Sequence, residues 1–246
     1  MAQDYGSGFE TVDANPAVNG HWSTKAFPAN PEWEFLLPPK LAKFDWRDHG
    51  LTPVMRHQGD WNACTSFALS AVVEAQRHLR GLQTLRLSGG YAHFCRIGET
   101  DPDQGHAAPQ VAAEATTRGL MPGTVDGPPL DQQQCAYDPA AAIRIIGSGY
   151  SEPGAKAADK LVAEGPQLIE VPMPLNFDKL RQHDVFRTTG LDCPVLHSMM
   201  LVSYDWAAQM ITMLGSHGAN WGNGGYVTMD MNEALFFNRW VFGVTV

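Results

Sequence analysis

The alternation of apolar and polar positions changes period along the chain. Cys64, Phe67, Ala68, Ala71, Val72, Ala75 and Leu79 recur at three- and four-residue steps. This spacing predicts a helix that begins at or just before Cys64 and buries one apolar stripe. Glu74, Arg77, His78 and Arg80 fall elsewhere on the wheel, and Gly81 supplies a stop. A second helix is predicted to start at Pro109 and end at Gly119, and a third to cover 155–164 before Gly165-Pro166. Beyond that point the period shortens to two. Segments 167–171, 195–204, 210–214, 226–231 and 240–246 read as strands, with 205–209 as a turn. Helices followed by strands predict an α+β protein with two lobes, whose seam is a favoured place for a site. Residues 1–43 keep no sustained period, but Trp22, Phe27, Trp33 and Phe35 predict an irregular arm packed on the body. The expected organisation is therefore an arm over 1–43, a helical lobe over 44–145 and a β-rich lobe over 146–246.

Composition narrows the function classes. Hydrophobic residues make up 44% of the 246 positions and charged residues 17%, too apolar for a disordered chain. The net charge of -9 opposes a phosphate backbone, so nucleic acid is not an expected partner. No apolar run is long enough to span a membrane. The first ten residues lack the basic start and apolar core of a signal peptide. A cytoplasmic location is therefore expected, with secretion by another route left open. The cysteines, Cys64, Cys95, Cys135 and Cys193, form no C-x-x-C, and the histidines form no H-x-x-x-H. Neither a metal site nor a redox pair is signalled. The sequence leaves the oligomeric state open.

The segment ahead of the first helix carries the chemistry. It runs Gln58-Gly59-Asp60-Trp61-Asn62-Ala63-Cys64. A cysteine at a helix N-terminus sits in the positive end of the dipole, which favours its thiolate. Gly59 permits a tight turn. The amide of Gln58 can then loop back and, with the N–H of Cys64, bind an oxyanion. A base must come from elsewhere in the fold.

These residues, together with Asp45-Trp46-Arg47 and Thr52-Pro53-Val54, resemble the D-W-R, T-P-V and Q-G-x-C-G-S-C-W-A-F-S blocks of papain-like cysteine peptidases. Leu87-Ser88 resembles the family's L-S. The segment from Val195 to Tyr204 resembles D-H-A-V-x-x-V-G-Y, and that from Gly215 to Tyr226 resembles N-S-W-G-x-x-W-G-x-x-G-Y. The blocks come in the family's order over about residues 44–246. The resemblance implies a papain-like two-lobe fold, with an N-terminal helical lobe, a C-terminal antiparallel β-barrel-like lobe and an active site in the cleft between them. It makes Cys64 the nucleophile, His197 the general base and Gln58 the oxyanion donor. It pairs Cys95 with Cys135, although a reducing cytoplasm would oppose that bond. Cys193 is left as a free structural thiol. The short stretch before Asp45 lacks the long helical signature of the family's inhibitory propeptide.

Departures cluster around substrate and histidine rather than at the nucleophile or base. Gly215 stands where the family's histidine-orienting Asn is expected, and His217 where a tryptophan shields that contact. Ser216, His217, a backbone carbonyl or water would have to orient His197. Thr65 replaces the tryptophan after the nucleophile, Asn62 a cleft glycine and Trp61 a cysteine. Gln104-Gly105-His106 is all that remains of the glycine segment that presents backbone to substrate. Asn62, Gly105, His106 and Trp221 are thus the expected substrate-binding positions. The implied activity is thiol-dependent hydrolysis of a peptide, protein or amide through a Cys64 acyl-enzyme, without metal or cofactor. Acyl transfer or amide ligation at the same site, and a degenerate peptidase scaffold that only binds, stay open as alternatives.

Overall fold

The computed structural model describes residues 10–11, 39–83, 85–95, 104–124, 126, 135–151, 154–172, 177, 185–186, 195–234 and 241–246. The arm aromatics Trp22, Phe27, Trp33 and Phe35, and Cys193, lie outside them. In chain order the elements are β1 (Glu10–Thr11), β2 (Lys43–Asp45), a 3-10 turn (Trp46–His49), α1 (Cys64–Leu79), α2 (Gly89–Phe94) and α3 (Ala108–Thr117). There follow β3 (Gly147–Ser151), α4 (Ala155–Glu164), β4 (Gln167–Pro172), β5 (Val185–Phe186), β6 (Val195–Asp205), β7 (Met210–Leu214), β8 (Tyr226–Asp230) and β9 (Val241–Thr245).

The sheet runs β3-β9-β4-β6-β7-β8-β5, with β1 and β2 also pairing to β6. Every pairing is antiparallel except β5 with β8. β6 is the long central strand, and its register shifts between Leu201 and Ser203. Both early pairings fall on it: Glu10 opposite Leu196, and Asp45 opposite Ser203.

Helix α1 departs from the one-stripe expectation. It is buried on all sides from Cys64 to Gln76, Glu74 included. A carboxylate survives there because Arg56 Nη2 and the Leu87 N–H both donate to Glu74 Oε1. One side of α1 packs against Leu87, Val111, Ala112 and Ala115 from the helical half. The other packs against Leu168, Met200, Val202, Phe242 and Val244 of the sheet, so a single core joins both halves. A second core lies across the sheet, where Leu161 of α4 meets Ile169, Met199, Leu201 and Met213. Successive residues of β6 thus serve different cores, as the pleat requires. Ser198 and Met200 face α1, whereas His197 and Met199 face the second core.

Candidate active site

The approach to α1 is held rigidly from several directions. Asp45 caps the 3-10 turn by accepting from the Arg47 N–H at 2.8 Å. Trp46 Nε1 donates to the Leu161 carbonyl at 2.9 Å. Arg56 reaches inward to Glu74 and also donates to the Val54 and Leu87 carbonyls. The D-W-R and T-P-V blocks therefore anchor the loop. Residues 56–58 then pair with 216–218: the Gln58 N–H donates to the Ser216 carbonyl at 2.8 Å, and the Gly218 N–H to the Arg56 carbonyl at 2.7 Å. Gly59 turns the chain at φ +69°, a conformation costly for residues with a Cβ.

This pairing fixes the Gln58 side chain. Its Nε2 donates to the Trp61 carbonyl at 2.6 Å, and its Oε1 accepts from the Ser216 hydroxyl. One Nε2 proton is committed to Trp61, and the amide carries a second. Ser216, a candidate orienter of the histidine, is here engaged with Gln58.

Cys64 opens α1 and is fully buried. The N-cap is Ala63, which offers no side-chain cap, and the first turn holds no acidic residue. Its N–H groups and positive dipole end are thus not satisfied by a capping side chain. The next residue, Thr65, shares a buried hydrogen bond of 2.9 Å with Ser198 of β6. Thr65 follows Cys64 and Ser198 follows His197. That bond joins the start of α1 to the stretch of β6 that carries His197, so the two candidate residues lie on adjoining segments of two bonded elements.

His197, also fully buried, sits in an aromatic nest. Its ring centre is 4.9 Å from Phe177 and 5.1 Å from His217, with the two imidazole planes at 37°. Phe177 lies 4.8 Å from His217 and 4.7 Å from Trp221, and its carbonyl accepts from Trp221 Nε1 at 2.9 Å. Trp221, an expected substrate contact, is buried beside Gly215. A Cβ built on Gly215 would lie 2.5 Å from the Trp221 ring. The position expected to hold an orienting Asn therefore has no room for a side chain. His217 titrates well below the usual imidazole range, because burial disfavours its charge and His197 and His57 add to that effect.

The remaining expected positions surround the loop. Asn62 and Gly105 are half-buried. His106 is buried and turned edge-on to His93, 5.7 Å between ring centres. Trp61 packs edge-on against Phe94 at 5.4 Å. Cys95, directly after Phe94, is joined to Cys135 by a disulfide. Among the described residues, no group of three or more His, Cys, Asp or Glu could hold a metal, and no helix is long and apolar enough to cross a membrane.

Sequence reasoning gave no role to Phe177, which carried no signal between two strands. Nor did it anticipate the Thr65–Ser198 bond. Strand period placed Ser198 on the face opposite His197, but nothing local tied it to Thr65.

A cysteine at a helix N-terminus, a histidine on the strand bonded to that helix and an amide held in the preceding turn are the residue types that the thiol-dependent acyl-transfer class uses. Comparison with known proteins gives the same class. The sequence profile of the papain family cysteine proteases matches residues 41–239, and the chain belongs to that family. It is 27% identical to cathepsin K of Gallus gallus over 216 residues, covering 82% of this chain and 61% of that protein. It is 24% identical to cathepsin 7 of Mus musculus over 212 residues, covering 80% and 62%. The chain thus spans about three fifths of the length of these relatives. Its fold is shared with digestive procathepsin L 3 of the Tenebrio molitor larval midgut, at TM-score 0.71 and 19% identity, over 85% of this chain and 73% of that one. A Carica candamarcensis cysteine protease gives TM-score 0.63 at 21% identity, over 83% and 98%. The two-lobe papain-like α+β fold is therefore established.

Proposed function

We propose that this chain is a cysteine peptidase cleaving peptide or protein substrates through an acyl-enzyme on Cys64. The observation that carries the reading is the Thr65–Ser198 bond, which holds the nucleophile's helix to the base's strand with Gln58 fixed beside them. The dipole of α1 favours the Cys64 thiolate, and His197 takes its proton. The sulfur attacks the scissile carbonyl carbon. The charge that develops on the carbonyl oxygen is met by the Cys64 N–H and the second Nε2 proton of Gln58. His197 returns its proton to the departing amine as the C–N bond breaks. It then takes a proton from water, which attacks the thioester and frees the acid and Cys64. Both reacting side chains are buried, so a substrate reaches the sulfur only after surrounding chain moves aside.

The Cys95–Cys135 bond supports work in an oxidising compartment, against the cytoplasmic location expected from the first residues, because a thiol-reduced cytosol removes such bonds.

The test is capture of the intermediate. Purified protein is incubated with a fluorogenic peptide library and, separately, with a peptidyl electrophile, followed by intact mass. Hydrolysis and a single adduct at Cys64, both lost in Cys64→Ala, are expected. Neither hydrolysis nor an adduct would remove the reading.

A further inference from the structure

We propose that His217 is the positioning residue for His197, acting in place of the side chain that Gly215 lacks. The inference rests on the peptidase reading above and assigns a part within the same site.

Four observations carry it. Trp221 occupies the space a side chain at 215 would need, with ring carbons 2.5 and 3.1 Å from a Cβ there. The orienting group must therefore come from another position. His217, two residues on, brings its ring centre to 5.1 Å from that of His197. Two imidazoles joined nitrogen to nitrogen by a hydrogen bond of about 2.9 Å have centres roughly 5 Å apart, so the rings already have the spacing of such a bond and a rotation in place would form it. The Nε2 of His217 is buried without a hydrogen-bond partner among the described residues, a costly state that an N–H from His197 would relieve. Finally, His197 and the Nε2 edge of the half-buried His217 are shielded from water, and the backbone there is fixed. Phe177 packs edgewise on both rings, Trp221 lies 5.3 Å from His217, and residues 216–218 are paired to 56–58.

The chemistry suits an acceptor. When His197 carries the proton taken from Cys64, it needs a neutral acceptor on its far side. A second imidazolium would repel it. Among the described residues, the titratable neighbours of His217 are His197 on β6 and His57 on the paired loop, while Phe177 and Trp221 present only uncharged rings. Burial and these two histidines keep His217 neutral. No bond is made or broken at His217. It holds one tautomer and stabilises the imidazolium.

The experiment uses the full chain with 13C-labelled cysteine. Cys64 is titrated by NMR in the wild type and in His197→Ala, His217→Phe and His217→Asn, with the Cys64 signal assigned through Cys64→Ser. This readout needs no reagent to reach the buried sulfur. Peptide turnover against pH is measured on the same proteins, and thermal melts confirm each variant is folded. In the wild type, Cys64 should titrate as a pair with His197, and the coupling should vanish in His197→Ala. His217→Phe, which keeps the packing but removes both nitrogens, should lower kcat on the order of 10²-fold with KM little changed. Its alkaline limit of activity should move to lower pH, because the imidazolium has lost its acceptor. His217→Asn should restore most of kcat. If the wild type is coupled but both His217 variants keep its kcat and pH limits within about twofold, this inference fails while the peptidase reading stands. If Cys64 titrates identically with and without His197, the pair is not assembled and both readings fall.

Discussion

Gly215 shows how one residue redirects a site. Putting the family's Asn back at this position should damage rather than improve the protein. Its Cβ would press on Trp221, whose Nε1 is already committed to the Phe177 carbonyl. Overpacking of this kind costs about 1–3 kcal/mol, so Gly215→Asn should melt earlier without gaining activity, in thermal unfolding and peptide turnover. A rise in both would mean that Trp221 yields readily. His217 gives a second expectation. Its folded-state pKa is depressed, so folding favours the neutral ring. That stability is fully present above the unfolded value of about 6.5 and is lost as pH falls below it toward the folded value. Acid titration of the melting temperature should fall more steeply below about pH 6.5 in the wild type than in His217→Phe. Superimposed curves would refute the assignment. The departures at 215 and 217 were legible from the sequence alone, but their cause was not. Trp221 fills the space from six residues downstream, and Phe177 approaches from a segment with no periodic signal.

Among elements, the bond between α1 and β6 shows what the pattern of residues could and could not give. The bounds of α4 and β7, and within a residue or two those of β4, β6, β8 and β9, follow from local period. α2 escaped notice because it has only six residues, started by Ser88 accepting from the Tyr91 N–H rather than by an apolar repeat. α1 was misread as one-faced because its far side meets polar partners, Arg56 on Glu74 and Ser198 on Thr65, that only the tertiary fold supplies. The Thr65–Ser198 pair invites a double-mutant cycle. Thr65→Val leaves the Ser198 hydroxyl buried without this partner and should cost about 1–3 kcal/mol. Ser198→Ala should cost a similar amount. Removing both should cost less than the sum, with a coupling of roughly 1 kcal/mol. Denaturant unfolding of the four proteins measures it, and strict additivity would mean that the bond does not tie the two elements together.

For the whole molecule, the disulfide links stability to the site. Cys95 and Cys135 enclose a 40-residue separation that contains α3. Loop-closure entropy for such a span is about 4 kcal/mol, and for a chain of this size that corresponds to a melting shift on the order of 10 °C. The loss should reach the active site by a defined route. Cys95 ends α2, the preceding Phe94 packs on Trp61, and the Trp61 carbonyl holds Gln58 Nε2. Loosening α2 therefore frees the turn that presents the oxyanion donor, while the Thr65–Ser198 bond and the aromatic nest around His197 lie on other elements. The suitable protein is the double variant Cys95→Ser/Cys135→Ser, which lacks the bond whatever reductant is present to keep Cys64 a free thiol. It should melt about 10 °C lower. Below its melting point it should lose kcat/KM by more than the wild type at the same temperature, and the Cys64 titration should still be coupled to His197. An unchanged melting temperature would show that α2 and α3 are held by packing alone. A lost Cys64–His197 coupling would show that the helical half positions the base as well as the oxyanion donor.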